Sequence, residues 1–168
     1  MLIRVADIPE SGILVDSVAE FGALYPEEGW RLEGVRLAIT TQGDEVSVAG
    51  DFDATARLTC SRCLEPLAVQ VHPQVAVQLV PPPRVRRAEV ELSPDDLETD
   101  FYAGESLDLS ALLRSETDLA LPMKPLCRPE CQGLCPGCGV NRNLGPCRCQ
   151  SKAVDPRLAP LEALRRQP

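Results

Sequence analysis

The sequence of 168 residues predicts an α+β fold: an antiparallel β-meander or a barrel-like sheet, with one or two helices and a C-terminal cysteine-rich segment. Three observations predict this fold. Apolar and polar residues alternate through much of residues 33–80, leucines recur at helical spacing in residues 108–120, and six of the eight cysteines lie within residues 127–149. A chain of this length can bury a hydrophobic core, so disulfide bonds are not needed for folding.

The first predicted strands form a β-hairpin. In EGVRLAITT, the apolar side chains of Val35, Leu37 and Ile39 fall on one face, and EVSVAG follows after a short QGD turn. The stretch DFDATARLTC continues the alternation as far as Cys60. Residues 1–32 show no pattern that assigns them a fold.

A second alternating run, LAVQVHPQVAVQLV, follows the turn SRCLEP. Pro73 lies inside this run and lacks a backbone N–H, which indicates an edge position or a bulge. Together the alternating runs predict an antiparallel meander with one buried face. The turn SRCLEP is expected between the two longest strands.

Two helices are predicted after the sheet. DLSALLRSETDLAL has leucines at helical spacing and begins with Asp108 as its N-cap. Near the C-terminus, DPRLAPLEALRR begins with Asp155 and has three leucines on one side. We therefore divide the chain into a β-rich acidic body, residues 1–122, which includes the helix near 108–120, and a cysteine-rich tail, residues 123–168, which contains the short terminal helix.

The net charge of −8 is unevenly distributed along the chain. The tail contains eight Lys and Arg against three Asp and Glu, a net charge of +5, so the body has a net charge of −13. A body this acidic repels nucleic-acid phosphates over most of its surface, whereas it attracts basic proteins. A nucleic-acid contact is therefore expected only at the tail or at a local patch.

The first ten residues, MLIRVADIPE, contain acids and a proline where a signal peptide needs an apolar run. No later stretch approaches the length of a membrane span. We therefore expect a cytoplasmic protein with no membrane partner. Thiols stay reduced in the cytoplasm, so clustered cysteines with short spacings indicate a metal site rather than disulfides.

The cysteines form four closely spaced pairs: Cys60 with Cys63, Cys127 with Cys131, Cys135 with Cys138, and Cys147 with Cys149. A gap of two residues lets two thiolates of one tight turn reach the same ion, and structural zinc takes four such donors. Eight thiolates therefore predict two structural zinc ions. In one arrangement the first two pairs bind one ion and the last two pairs bind the other. In the alternative the second and third pairs share an ion. We favour the first, because the short CQGLC bridge then need not fold four ligands onto one centre.

Two other interpretations of the cysteines fit less well. Isolated core cysteines do not occur in pairs flanked by Pro and Gly. A catalytic dithiol at Cys60 and Cys63 should open a helix that lowers the thiol pKa, but these residues lie between strands. Catalytic zinc needs an open coordination position, which four thiolates do not leave. Such sites often use a histidine ligand, but the single histidine, His72, is predicted to face away from the core. We expect no catalytic residue, no small-molecule substrate and no enzymatic activity.

Several stretches occur in the order typical of one protein family: CSRCLEP after a β-strand, YAGESLDLSALLRSETDLALPMKPLC, CQGLCPGCGVNRN, the CRC pair and DPRLAPLEAL. In these stretches the chain resembles the YceD-type family, proteins required for the accumulation of large-subunit (23S) ribosomal RNA in bacteria and plastids. The resemblance covers most of the chain from Asp51 onward. It implies a non-enzymatic role in ribosome biogenesis, in the synthesis, processing or stability of 23S rRNA, and it places the family's cysteine motifs on all eight cysteines.

With this implied role, we hypothesise that the two zinc centres hold basic side chains in a fixed array. Four arginines beside the ligands are candidates for contact with pre-ribosomal RNA or with a ribosomal protein of the large subunit: Arg62, Arg128, Arg142 and Arg148. Asn141 and Asn143 are candidate polar contacts. The alternative function is a zinc-stabilised adaptor whose acidic body docks a basic partner such as a ribosomal protein.

Overall fold

A computed structural model describes residues 1–82, 99–102 and 104–149 of the chain. The chain divides into two compact units: Met1–Leu58 with Leu67–Pro125, and Thr59–Pro66 with Leu126–Pro168. We call the first the β-unit and the second the cysteine unit. The turn SRCLEP thus clusters with the later cysteines. The boundary between residues 122 and 123 stays a prediction, and the predicted terminal helix lies outside the described residues.

The described residues form eight strands and one α-helix, together with two short 3-10 helices, Val5–Asp7 and Val18–Phe21. The strands are β1 (Leu2–Arg4), β2 (Ile13–Val15), β3 (Arg31–Gln42), β4 (Glu45–Thr59), β5 (Pro66–Val71), β6 (Gln74–Val80), β7 (Thr99–Phe101) and β8 (Ser106–Asp108). The helix is α1 (Leu109–Ala120). The α+β class is confirmed.

Six strands form the main sheet, in the order β2-β3-β4-β6-β7, and β5 pairs with β4 beside this path. Every pair whose register is known is antiparallel except β6 with β7, which is parallel. β1 and β8 form a separate two-stranded antiparallel sheet. The predicted meander accounts for β3 to β6, whereas the sequence did not predict the parallel pair.

The run around Pro73 is two strands rather than one. β5 ends at Val71 and β6 begins at Gln74, and the Pro73 carbonyl accepts a hydrogen bond of 3.2 Å from the backbone N–H of Phe52 in β4. Because of this break, SRCLEP joins the 15-residue β4 to the six-residue β5. The expectation that it joins the two longest strands is therefore wrong, since the longest are β3 and β4.

One hydrophobic core lies in the β-unit. Its fully buried side chains come from the alternating positions of β3 and β4, such as Leu37 and Val48, and from Leu109 and Leu113 of α1. The helix begins after Asp108, whose carboxylate accepts hydrogen bonds of 3.0 and 3.1 Å from two backbone N–H groups of the first turn. Among the described residues, no helix has the length and hydrophobicity needed to cross a membrane.

Candidate metal centres

The sulfur atoms of the eight cysteines fall into two sets of four. The first set is Cys60, Cys63, Cys127 and Cys131, and the second set is Cys135, Cys138, Cys147 and Cys149. Within each set the four sulfurs lie within 4.8 Å of one another, so each set could hold one metal ion. This grouping is the first of the two arrangements considered from the sequence.

The turn that holds Cys60 and Cys63 is closed by two backbone hydrogen bonds. The N–H of Cys60 donates to the Glu65 carbonyl at 2.9 Å, and the N–H of Leu64 donates to the Cys60 carbonyl at 3.0 Å. Leu64 has a φ of 61°, in the left-handed region that non-glycine residues seldom occupy. This tight turn directs both thiols toward the same point.

The turn that holds Cys135 and Cys138 repeats this hydrogen-bond pattern. The N–H of Cys135 donates to the Val140 carbonyl and the N–H of Gly139 donates to the Cys135 carbonyl, both at 2.8 Å. Gly139, with a φ of 75°, occupies the position that Leu64 occupies in the first turn. The two CxxC turns therefore have the same backbone design, although their sequences share little beyond the cysteines.

Backbone N–H groups in these turns favour the thiolate form of the first cysteine. Hydrogen bonds from the N–H groups of Cys63 and Cys127 lower the pKa of the Cys60 thiol to about 6. Hydrogen bonds from the N–H groups of Cys138 and Gly137 likewise lower the pKa of the Cys135 thiol to about 6. Each turn thus presents a thiol that ionises readily. The thiolate that it forms is the species that binds metals.

Other thiols of the two sets are harder to ionise. Burial, and then the neighbouring thiols, raise the pKa of Cys127 to about 12. Hydrogen bonding with the Cys138 and Cys135 thiols, and then burial, raise the pKa of Cys149 to about 12. Without a cation, one thiolate in each set therefore suppresses the ionisation of its neighbours.

The two sets differ in exposure. In the first set, Cys60, Cys63 and Cys131 are at most 3% exposed and Cys127 is exposed, whereas in the second set Cys135 is buried and Cys138 and Cys149 are exposed. In the described part of the cysteine unit, the buried residues are four cysteines and one glycine: Cys60, Cys63, Cys131, Cys135 and Gly133. No large aliphatic or aromatic side chain is buried there, so thiols occupy the interior.

Gly133 lets the chain pass close to the first CxxC turn. A Cβ on Gly133 would lie 2.8 Å from the Arg62 carbonyl oxygen, and its φ is 68°. The next residue, Leu134, donates its N–H to the same Arg62 carbonyl at 3.0 Å. This contact ties the segment between the two sets to the turn SRCLEP.

Asn143 has its side-chain amide fully engaged inside the cysteine unit. Its Oδ1 accepts from Arg128 Nη2 at 2.8 Å and from the backbone N–H of Gln132 at 2.9 Å. Its Nδ2 donates to Asn141 Oδ1 at 2.8 Å and to Cys131 Sγ at 3.3 Å. Asn143 therefore orients a sulfur of the first set, a role that its sequence position did not predict.

Asn141 extends this network to the first CxxC turn. Its Oδ1 accepts from the backbone N–H of Asn143 at 3.0 Å as well as from the amide, and its Nδ2 donates to Glu65 Oε1 at 3.3 Å. The two asparagines, considered from the sequence as partner contacts, thus connect parts of the same unit.

The four candidate arginines are all exposed, but they divide into two kinds. Arg62 donates to the Cys131 carbonyl at 2.9 Å, and Arg128 donates to Asn143. Among the described residues, no hydrogen bond or ion pair engages the guanidinium of Arg142 or Arg148. His72 is exposed in the β-unit beside the Asp53 carboxylate, and it belongs to neither set of possible metal ligands.

The donor chemistry of both sets suits a soft or borderline metal. All eight donors are free thiols. Three sulfur–sulfur contacts within the sets measure 3.3 to 3.8 Å, well beyond the ~2.05 Å of a disulfide bond. Four thiolates select zinc, copper(I) or iron over hard cations such as magnesium. The cysteine unit is therefore a candidate metal-binding module with two centres.

The sequence model described as "Large ribosomal RNA subunit accumulation protein YceD" matches residues 48–165, well over half of the chain and all eight cysteines. The chain belongs to the YceD family.

Similar chains occur in mycobacteria. An uncharacterised protein of Mycobacterium bovis and one of Mycobacterium tuberculosis are each 32% identical to this chain over 125 residues, which cover 74% of this chain and 58% of the relative. An uncharacterised protein of Mycobacterium leprae is 29% identical over 111 residues, 66% of this chain and 49% of the relative. The chain thus spans about half the length of these relatives. No solved structure matches it.

The left-handed conformation of Leu64 generates a prediction for the first CxxC turn. Leu64→Gly should change the free energy of unfolding of the metal-loaded protein little, because the relief of strain is offset by a more flexible unfolded chain. Leu64→Val should lower it by about 1 kcal/mol or more, since a β-branched residue fits this conformation poorly. Urea unfolding measures both. Leu144→Val, at an exposed leucine with ordinary φ, is the control. Equal effects of the two valine substitutions on the free energy of unfolding would contradict the left-handed conformation of Leu64.

The hydrogen bonds of Asn143 generate a second prediction. Asn143→Ala leaves Cys131 Sγ without its amide donor and should lower the stability of the cysteine unit by about 2 kcal/mol, with faster metal release from the first set than from the second. Metal release to a chromogenic chelator measures the two rates. Gln132→Ala, which removes an exposed amide of similar size, should leave both rates unchanged. Identical release kinetics in Asn143→Ala and the native protein would refute the positioning role.

Proposed function

We propose that the protein is a non-enzymatic ribosome-biogenesis factor that acts in the cytoplasm to support the accumulation of 23S rRNA. In this proposal two structural zinc ions hold the cysteine unit together, and that unit contacts pre-ribosomal RNA or a large-subunit ribosomal protein. The observation on which the proposal mainly rests is the family match over residues 48–165, whose description names accumulation of the large ribosomal RNA subunit.

The sulfur geometry of the first set supports zinc as the ion. A regular tetrahedron with Zn–S bonds of about 2.3 Å has sulfur–sulfur edges of about 3.8 Å. Cys60 and Cys131 have their sulfurs 3.8 Å apart, and Cys63 and Cys127 have theirs 3.7 Å apart. Four thiolates also complete the coordination shell, which supports a structural ion rather than one that activates water.

The interior of the cysteine unit supports a stabilising role for the ions. Its described residues bury thiols and a glycine but no large apolar side chain, so the hydrophobic effect contributes little to its folding. Small modules of this kind are usually stabilised by disulfides or a metal, and structural zinc contributes on the order of 10 kcal/mol. The ions would then set the positions of every side chain on this unit.

Arg142 and Arg148, whose guanidinium groups have no partner among the described residues, support a partner contact at the cysteine unit. Its described charged residues are four arginines and two glutamates, a charge of +2, while each Zn(Cys)4 centre has a charge of −2. With both ions bound, the described part of the unit would therefore have a net charge of −2 and would not attract RNA at long range. Binding would come from local hydrogen bonds by Arg142 and Arg148, whose planar guanidinium groups suit phosphate oxygens.

The metal proposal predicts a defined stoichiometry. The native protein, purified under reducing conditions, should contain two zinc ions per chain by elemental analysis. The double variant Cys60→Ser with Cys63→Ser should contain one, and so should Cys135→Ser with Cys138→Ser, because each removes half the ligands of a single set. The two variants serve as controls for each other. Metal-free native protein, or two ions retained in either variant, would disprove the assignment.

The functional proposal predicts a defect in large subunits. Cells depleted of the protein should show less 23S rRNA and fewer large subunits in sucrose gradients. Native protein should restore both, whereas Arg142→Ala with Arg148→Ala should restore them incompletely while keeping two zinc ions. Arg36→Ala with Arg57→Ala, at exposed arginines of the β-unit, is the matched control. A normal subunit profile after depletion would remove the functional assignment and leave the metal assignment intact.

A further inference from the structure

A groove of about 570 Å³ lies along α1 in the β-unit, and no cysteine is among its described lining residues. Its walls come from α1, from the strands β6 and β7, and from β1 and β8. Three large apolar side chains on these walls are exposed to solvent: Leu2 by 71%, Phe101 by 50% and Leu119 by 79%. They come from three separate parts of the chain, so the fold brings them together.

The exposed apolar residues of the β-unit concentrate at this groove. The described part of the β-unit has five exposed large apolar side chains, of which three line the groove and two, Leu14 and Met123, do not. Single exposed apolar residues are ordinary on protein surfaces, but a group that shares one concave surface usually marks an interaction site. The groove therefore has the properties of a docking surface.

The charged residues that line the groove are all acidic among those that the structure describes. They are Asp100, Asp108 and Glu116, with no lysine or arginine in the described lining. Asp108 also caps α1, and Asp100 accepts a hydrogen bond from the Phe101 N–H, but neither carboxylate has a cationic partner among the described residues. The first 122 residues, which include the groove, have a net charge of −13. The surface thus attracts a cationic occupant and repels an anionic one.

The size of the groove limits its occupant to a short segment. Leu112, Glu116 and Leu119 line it from successive turns of α1, and seven residues of α-helix span about 10 Å. This length accommodates two or three apolar side chains from a helical or extended segment. A second copy of the chain is a poor occupant, because a symmetric contact would place the acids of one groove against those of the other.

We propose that this groove binds a short basic segment of a partner protein. Apolar side chains of the segment pack against Leu2, Phe101 and Leu119, while its lysines or arginines lie against the acidic residues of the rim. The apolar contacts supply affinity, and the acidic rim selects cationic partners and accelerates association. This proposal does not depend on the function proposed above, because the groove contains none of the residues assigned to RNA contact.

The test uses a probe of defined composition. A fluorescent 14-residue peptide of leucine and lysine, patterned as an amphipathic helix, is titrated with the full-length native protein, and binding is measured by anisotropy. Leu119→Lys should weaken binding by about tenfold or more, because it removes an apolar anchor and adds a like charge. Leu14→Lys makes the same change at an exposed leucine outside the groove and should leave binding unchanged.

A second pair of variants tests the acidic rim. Asp100→Asn with Glu116→Gln should weaken binding severalfold and reduce its salt dependence. Glu45→Gln with Asp51→Asn, on β4, changes the net charge equally outside the groove and should have a smaller effect. Asp108 is left in place because it caps α1. A peptide with serine in place of leucine keeps the charge and should bind at least about tenfold more weakly.

The outcomes separate the proposal from its rivals. Equal affinity of Leu119→Lys and Leu14→Lys for the peptide would overturn it, as would equal binding of the leucine and serine peptides, which would indicate attraction by net charge alone. Sedimentation that finds a native dimer dissociated by Leu119→Lys would identify a second copy as the occupant and also overturn it. Circular dichroism confirms that each variant is folded.

Discussion

Four thiols packed within 4.8 Å cannot all ionise unless a cation neutralises them, and the cysteine unit depends on this constraint. The thiols of the first set illustrate it, because backbone N–H groups bring the pKa of Cys60 to about 6 while burial and neighbouring thiols bring that of Cys127 to about 12. A divalent metal ion removes the conflict by holding all four as thiolates. Under the proposed metal assignment, metal binding and folding of this unit are a single process.

The repeated CxxC turn explains how a unit whose described residues bury no large apolar side chain becomes ordered. Each turn presents two thiols with a rigid backbone, but the first set also needs Cys127 and Cys131, which are more than 60 residues further along the chain. Cross-linking residues so distant removes much conformational entropy from the unfolded chain. Asn143 adds a fixed connection, since one amide contacts a sulfur of the first set and the loop that precedes the last two cysteines.

The sequence predicted the features that local pattern determines. Alternation identified the residues of β3 to β6, although it left β5 and β6 as one run. Asp108 identified the start of α1, and cysteine spacing led to the grouping of sulfurs that the fold contains. Features set by distant contacts were missed: the short strands β1 and β2, and the parallel pairing of β6 with β7. From the sequence, Asn143 was considered only as a partner contact. Its four side-chain hydrogen bonds join residues that only the fold brings together, so its contact with a sulfur of the first set was not predictable.

The charges of the two units suit different kinds of partner. The β-unit has acids around an apolar groove and suits a basic protein segment. The cysteine unit presents two guanidinium groups that have no partner among the described residues, beside centres that would be anionic with metal bound. A chain with a net charge of −8 associates slowly with free RNA, because long-range repulsion opposes the encounter. Contact with RNA is easier once a basic protein already bound to that RNA has neutralised part of its charge. The acidic surface and the arginines are therefore compatible with one role in which protein recognition precedes RNA contact.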